Sequence, residues 1–400
     1  MTLGCFLFFT LLPLLYSIEN STGNYPWNTL TDEKVLETKR NFLATNEKLY
    51  QHIFSSYNPN LPPVYTKRKE NDSRQNQPNK SVILITLMYA KLLELSAPRQ
   101  LMTVIFEYAM TWVDERLSWD PKEYDDIDHI YVLRNNVWIP EITPFDSLEV
   151  VETRPDYKQH VPITYQGVAS FYTSVVTSVV CPIDVTFFPF DEQNCSMKLL
   201  SYSFYSDEMA MQNEIFKNLQ ISGVGNDEWE VTNILARSEI RYNASEADQI
   251  NEFTFFMKRN PSYYVALIIV PSFMLTFLCV AGLFTSPLIV DDLGKFCMGL
   301  TTIMSTTVMI GIVAENIPKT KIIPHLTWYV TSNLVIVSLA ILLVIILPKI
   351  TEFLGWACRC RQLLVVRRHS GIWMGVLNAL LLIVFEGFVV RNLIDMVVFG

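Results

Sequence analysis

Residues 263–284 hold 22 amino acids and no charge, long enough to cross the ~30 Å apolar core of a bilayer as one helix. Residues 296–314, 328–347 and 372–390 read the same way. In hydrocarbon every backbone N–H and C=O must be paired within the segment, so runs like these fold as helices. Residues 261–400 are therefore expected to form a transmembrane domain of four helices, with both ends of the domain on one side. The stretch 349–371 carries Lys349, Arg359, Arg361, Arg367 and Arg368 against Glu352 alone, which marks it as a short cytosolic loop. What precedes residue 261 then lies outside the cell.

The rest of the chain agrees with that orientation. Residues 1–17 form an apolar run of signal-peptide length, with small Ser17 just before acidic Glu19, and are expected to be cleaved. Residues 18–260 hold 34 Asp/Glu against 22 Lys/Arg, whereas 261–400 hold 6 against 9. An acidic outer domain argues against a nucleic-acid partner and favours cations at its surface. Of seven cysteines, Cys5 falls in the signal peptide, and Cys181 and Cys195 are the only pair between it and the membrane segments. Cys279 and Cys297 fall in apolar runs. Cys358 and Cys360 would face a reducing cytosol as ordinary thiols, or as sites of reversible lipidation.

In the outer domain, Val35, Leu36, Phe42, Leu43, Leu49, Ile53 and Phe54 recur at helical intervals behind Thr31-Asp32, predicting one amphipathic helix over residues 31–57. A polar loop over 67–80 follows, with sequons at Asn71 and Asn79; another sequon stands at Asn243. From 81 to 259, β-rich runs at 82–87, 101–111, 130–133, 175–180, 229–235 and 253–257 alternate with turn signals, predicting an all-β, immunoglobulin-like sandwich. No phosphate-binding glycine loop, H-E-x-x-H or G-x-S-x-G is present, so no enzyme, cofactor or metal centre is expected. The acidic residues Asp120, Glu123, Asp125, Asp126 and Asp128 read as a solvated loop rather than a cation site.

Cys181 and Cys195 enclose thirteen residues, ending in Phe188-Pro189-Phe190-Asp191-Glu192-Gln193-Asn194-Cys195. A disulfide closing such a loop stabilises by roughly 3 kcal/mol, and two aromatics about a proline form a rigid apolar tip. This stretch resembles the signature loop of the Cys-loop receptors, the pentameric neurotransmitter-gated ion channels. Three more stretches carry the resemblance in the same order. Trp112-Val113-Asp114-Glu115-Arg116-Leu117-Ser118-Trp119 is similar to the family's W-x-D-x-R-L-x-W, and Trp138-Ile139-Pro140-Glu141-Ile142 to its W-x-P-D-I. Glu315-Asn316-Ile317-Pro318-Lys319-Thr320 is similar to its E-x-I-P-x-T link.

The resemblance implies a homo- or hetero-pentamer of related subunits around a pore for monovalent ions, in the plasma membrane, postsynaptic in the family's usual setting. The second membrane helix would line that pore through Cys297, Thr301, Met304, Val308 and Glu315. A small neurotransmitter, an amine or choline ester, would bind between subunits at Phe145, Tyr202 and Tyr242 on one face and Glu107 on the other. Tyr202 stands where acetylcholine receptors carry tryptophan, and Glu107 where they carry an aromatic. Coupling would run through Phe188, Pro189, Phe190 and Asp191 onto Ile317 and Pro318, with Arg259 ahead of the first membrane helix. The arginine's usual glutamate partner maps onto Ala97, so Asp191 or Glu94 is expected to replace it. Leu293-Gly294-Lys295 is neither the Pro-Ala-Arg of anion channels nor the Gly-Glu-Lys of cation channels, and Glu315 tips the expectation to cations. Alternatives are an anion-selective or accessory subunit, and a binding protein that does not conduct.

Overall fold

The computed structural model describes residues 33–64, 80–243, 246–285, 292–319, 322–357 and 364–399. The expected signal peptide, Asn71, Asn79, Cys358 and Cys360 lie outside these, as do the side chains of Tyr242 and Asn243. The strands, in chain order, are β1 (Ser81–Ser96), β2 (Leu101–Val113), β3 (His129–Leu133), β4 (Thr143–Phe145), β5 (Ser147–Glu152) and β6 (His160–Thr164). They continue as β7 (Val168–Val180), β8 (Glu192–Leu200), β9 (Met209–Ile215), β10 (Trp229–Asn243) and β11 (Glu246–Arg259). The long helices are α1 (Glu33–Phe54), α2 (Ser262–Thr285), α3 (Asp292–Asn316), α4 (His325–Ala357) and α5 (Leu364–Phe399). The chain's contacts divide into two units. One comprises Met1–Val64, Thr111–Pro140 and Asp156–Phe171; the other comprises Tyr65–Met110, Glu141–Pro155 and Tyr172–Gly400.

In the first unit the two tryptophan motifs turn out to be architecture. Asp114, fully buried, accepts from Arg116 Nε at 2.8 Å and Nη2 at 2.7 Å, and from the Tyr57 hydroxyl at 3.1 Å. Tyr57 accepts in turn from the Trp138 backbone N–H at 3.1 Å. Burial pushes the Tyr57 hydroxyl up to about 12, so it stays a donor to Asp114. Trp112 and Trp138 meet edge to face at 6.0 Å, and Gly167, at φ 77°, lets its backbone approach Asp114 where a Cβ would lie 2.5 Å from the Asp114 carbonyl oxygen. The acidic run is likewise absorbed. Asp120 caps a 3-10 turn, Asp125 accepts from Thr45 at 2.7 Å, and Asp128 meets the His129 ring. Among the described residues no His/Cys/Asp/Glu group is arranged to hold a metal.

In the second unit β1 pairs with β9, parallel, in a sheet that also holds β2 and β7, with β5 on the edge of β7. The other sheet runs β10-β11-β8-β4. Alternation explains the core: along β8, Gln193, Cys195, Met197 and Leu199 point inward and Glu192, Asn194 and Ser196 do not. The sandwich is as expected, but β1 extends to Ser96 and β10 to Asn243, because partner strands carry the ladders past the apolar stretches. Short, polar β4, β5, β6 and β9 lacked a sequence signal for the same reason.

Among the described residues, three helices are long and apolar enough to cross a membrane: Ser262–Thr285, Leu293–Asn316 and His325–Ile350. Helix α5 packs beside them, with Phe385 against Phe284 at 5.6 Å. A cluster of Cys279, Val280, Leu283, Phe284, Val337, Ala340 and Ile341 forms the core between α2 and α4. Pro271 lacks an N–H, and a π-helical turn over Val265–Ile269 sits just before it. The Ile269 carbonyl accepts from the Tyr329 hydroxyl at 3.2 Å. Asn333 donates to Ser272 Oγ at 3.1 Å and accepts from Asn392 at 2.8 Å, joining α2, α4 and α5. The expected loop over 349–371 is corrected: helix runs to Ala357 and resumes at Leu364. Charge marks where a span leaves the bilayer, but helical hydrogen bonding does not stop there.

Candidate functional site

Two features of the second unit bear on function: the junction between sandwich and membrane helices, and one face of α3. At the junction Cys181 and Cys195 are joined in a disulfide with a Cα–Cα distance of 5.3 Å. Inside that loop Gln193 donates to the Asp184 carbonyl at 2.6 Å and to Asp191 Oδ2 at 2.6 Å. The Asp184 carboxyl is held below its usual range by the Thr186 hydroxyl and, after it, the Thr186 N–H. These bonds fix the loop from within.

Arg259, the last residue of β11, is the centre of the junction. Its side chain is 2 % exposed, as is that of Asp191, while Glu228 is 44 % exposed. Nε donates to Asp191 Oδ1 at 2.7 Å and Nη2 to Oδ2 at 3.3 Å, a two-pronged pair. Nη1 donates to Glu228 Oε1, which also accepts from the Tyr264 hydroxyl at 3.2 Å. The guanidinium lies 4.1 Å from the Trp229 ring centre and 4.8 Å from that of Phe188. Phe188 in turn meets Tyr264, at the start of α2, edge to face at 4.7 Å. One buried cation thus ties the disulfide loop, the start of β10 and the first membrane helix together.

Sequence reasoning anticipated Asp191 as the partner but offered Glu94 as the other choice. The second acid is Glu228, 31 residues back in the chain, and only the β10–β11 ladder, pairing Trp229 with Arg259, brings it near. The tip also differs from expectation. Phe188 and Pro189 are buried, and it is Thr186 and Phe187 that reach forward. The Thr186 carbonyl accepts from the His325 N–H at 3.0 Å, and the Phe187 and His325 rings stack at 5.2 Å and 17°. These contacts go to the first residue of α4, a partner the sequence analysis does not name. No spacing rule in the sequence points to His325.

Along α3, Cys297, Thr301, Met304, Val308, Gly311 and Glu315 are all exposed, Met304 to 72 %. The opposite face is buried at Thr302, Thr306 and Val313. Gly299 packs so closely on α4 that a Cβ there would collide with Ile341 Cδ1. The hydroxyls of Thr301, Thr302, Ser305, Thr306 and Thr307 all bond carbonyls of their own helix. They are satisfied without a neighbouring helix, so the exposed stripe is free to face something else. In the sandwich, Phe145 pairs in register with Lys198 of β8, Tyr202 follows β8 and is 68 % exposed, and Tyr242 sits near the end of the β10–β11 hairpin. Phe145 and Tyr242 lie on strands of one sheet, and Tyr202 lies two residues past the end of a third strand of that sheet. Glu107 is on β2, in the other sheet, half-buried and accepting from Ser174 Oγ at 3.0 Å.

Residues 46–261 match the model of the neurotransmitter-gated ion-channel ligand binding domain. The chain belongs to this family of neurotransmitter-gated ion channels. Among its relatives the neuronal acetylcholine receptor subunit alpha-6 of Rattus norvegicus is 27 % identical over 319 residues, covering 77 % of this chain and 60 % of the relative. The proton-gated ion channel subunit pbo-6 of Caenorhabditis elegans is 25 % identical over 351 residues, covering 85 % and 79 %. The neuronal acetylcholine receptor subunit beta-3 of Gallus gallus is 27 % identical over 305 residues, covering 76 % and 64 %. The chain thus spans about 60 % of the length of the alpha-6 subunit. These are channel proteins and not enzymes, and this Cys-loop family member is acetylcholine-receptor-like.

Proposed function

We propose that the chain is a subunit of a pentameric, extracellular ligand-gated channel that passes monovalent cations across the plasma membrane. The observation that carries this reading is the exposed stripe of α3. A helix amid an apolar bundle that leaves Cys297, Thr301, Met304, Val308 and Glu315 uncovered needs something other than its own subunit to face. Five copies about an axis turn those positions into rings. Met304 and Val308 form apolar constrictions that close by dewetting, and Glu315 forms an outer acidic ring that concentrates cations.

Ligand binding between sandwiches, at Phe145, Tyr202 and Tyr242 of one subunit and Glu107 of the next, would move β10 and β11. Arg259 passes that movement to the disulfide loop, to Tyr264 and so to α2, while Phe187 carries it to His325 and α4. Ile317 and Pro318 then transmit the displacement from the outer end of α3. The reading places the sandwich outside, with glycans at Asn71, Asn79 and Asn243, and the receptor at a postsynaptic membrane, as homo- or hetero-pentamer.

The test is whole-cell recording from cells expressing the chain, alone and with related subunits, against biogenic amines, choline esters and amino acids. The expected result is an inward current to an amine or choline ester whose reversal potential follows the sodium and potassium gradients. A reversal potential that tracks chloride instead would remove the cation assignment.

A further inference from the structure

We propose that Glu107 makes this chain's side of the ligand site select protonated amines that carry N–H groups over quaternary ammonium compounds. The inference rests on the ligand-site reading above and names the class of molecule that site takes. Glu107 Oε1 is engaged by the Ser174 hydroxyl at 3.0 Å, which fixes the carboxyl plane. Oε2 has no partner among the described residues, and the side chain is only half-buried on β2. One lone-pair face of a held carboxylate is therefore open outward. Arg154, just past the end of β5, donates to the Tyr172 carbonyl at 2.7 Å.

An ionised carboxylate is an acceptor only. A primary or secondary ammonium answers it with a short, charge-assisted N–H···O bond, whereas a quaternary nitrogen has no hydrogen to give and its methyl groups keep the charge further away. Sites that offer a hydrogen-bonding group discriminate strongly against analogues that cannot use it, because the group is then left unpaired. The aromatic positions Phe145, on the other sheet, and Tyr202, just past the end of β8, attract both cations alike, so the difference falls on Glu107.

The test uses the full chain purified in lipid nanodiscs and a matched pair of probes: 2-phenylethylamine and its N,N,N-trimethyl analogue, titrated calorimetrically. The primary amine is expected to bind at least about tenfold more tightly. Glu107→Gln keeps the Ser174 contact but lacks the charge, and is expected to bring the two affinities within about twofold, mostly by weakening the amine. Ser174→Ala frees the carboxyl and should narrow the ratio less. Equal or tighter binding of the quaternary probe to the wild type would overturn the selectivity while leaving a ligand site in place, as would an unchanged ratio in Glu107→Gln. Absence of binding by both probes would overturn the amine class altogether, and conduction, measured separately, would be untouched.

Discussion

Arg259→Gln lowers the melting temperature of the detergent-solubilised chain by roughly 6–20 °C, because removing one partner of a buried ion pair costs about 3–5 kcal/mol. The glutamine leaves Asp191, 2 % exposed, as an unpaired carboxylate beside Gln193. It also strips the stack from the Trp229 and Phe188 rings. Arg259→Lys keeps the charge but not the two-pronged geometry or the flat stacking face, so it falls between wild type and glutamine. Glu228→Gln has a smaller effect, since Glu228 is 44 % exposed and water can replace part of what it gives. Thermal unfolding of the four proteins followed by fluorescence checks the order. Arg259→Met combined with Asp191→Asn should cost less than Arg259→Gln alone, as expected when the penalty lies in the orphaned charge rather than in the lost bond.

Met304→Ser produces a standing current in the absence of ligand. Met304 is the most exposed apolar position of the α3 stripe, at 72 %. In a pentamer five thioether side chains at one level make a ring that water leaves, and five hydroxyls make one that water fills. Agonist-free holding current at equal surface expression is expected to rise roughly tenfold or more. Thr302→Ser, on the buried face of the same helix, should leave it unchanged. A holding current equal to wild type in Met304→Ser would move the gate away from this ring.

The sandwich, the membrane helices and the disulfide were legible because each rests on local information: alternation, an uncharged run, two cysteines without rivals. Asp191 as the partner of Arg259 was legible because a buried arginine must find an acid and few were available. Glu228 and His325 were not, for a physical reason common to both. Each reaches its partner through strand register or helix placement that no spacing in the chain encodes: Glu228 through the pairing of Trp229 with Arg259, His325 through where α4 begins beneath Thr186. The α3 hydroxyls turn back on carbonyls of their own helix, while Ser272, Asn333 and Asn392 bridge α2, α4 and α5.

The central claim, that the exposed face of α3 lines a conducting pore, is tested most directly by the native thiol on that face. Cys297 is a free, exposed cysteine, whereas Cys279 is buried. In inside-out patches carrying Met304→Ser, where current flows without ligand, 2-aminoethyl methanethiosulfonate should add a positive charge to each Cys297. The expected result is a loss of most of the cation current, reversed by a thiol reductant and absent when Cys297→Ser is added. Standing current that the reagent leaves intact, under conditions where mass spectrometry finds Cys297 modified, would contradict a pore along this face.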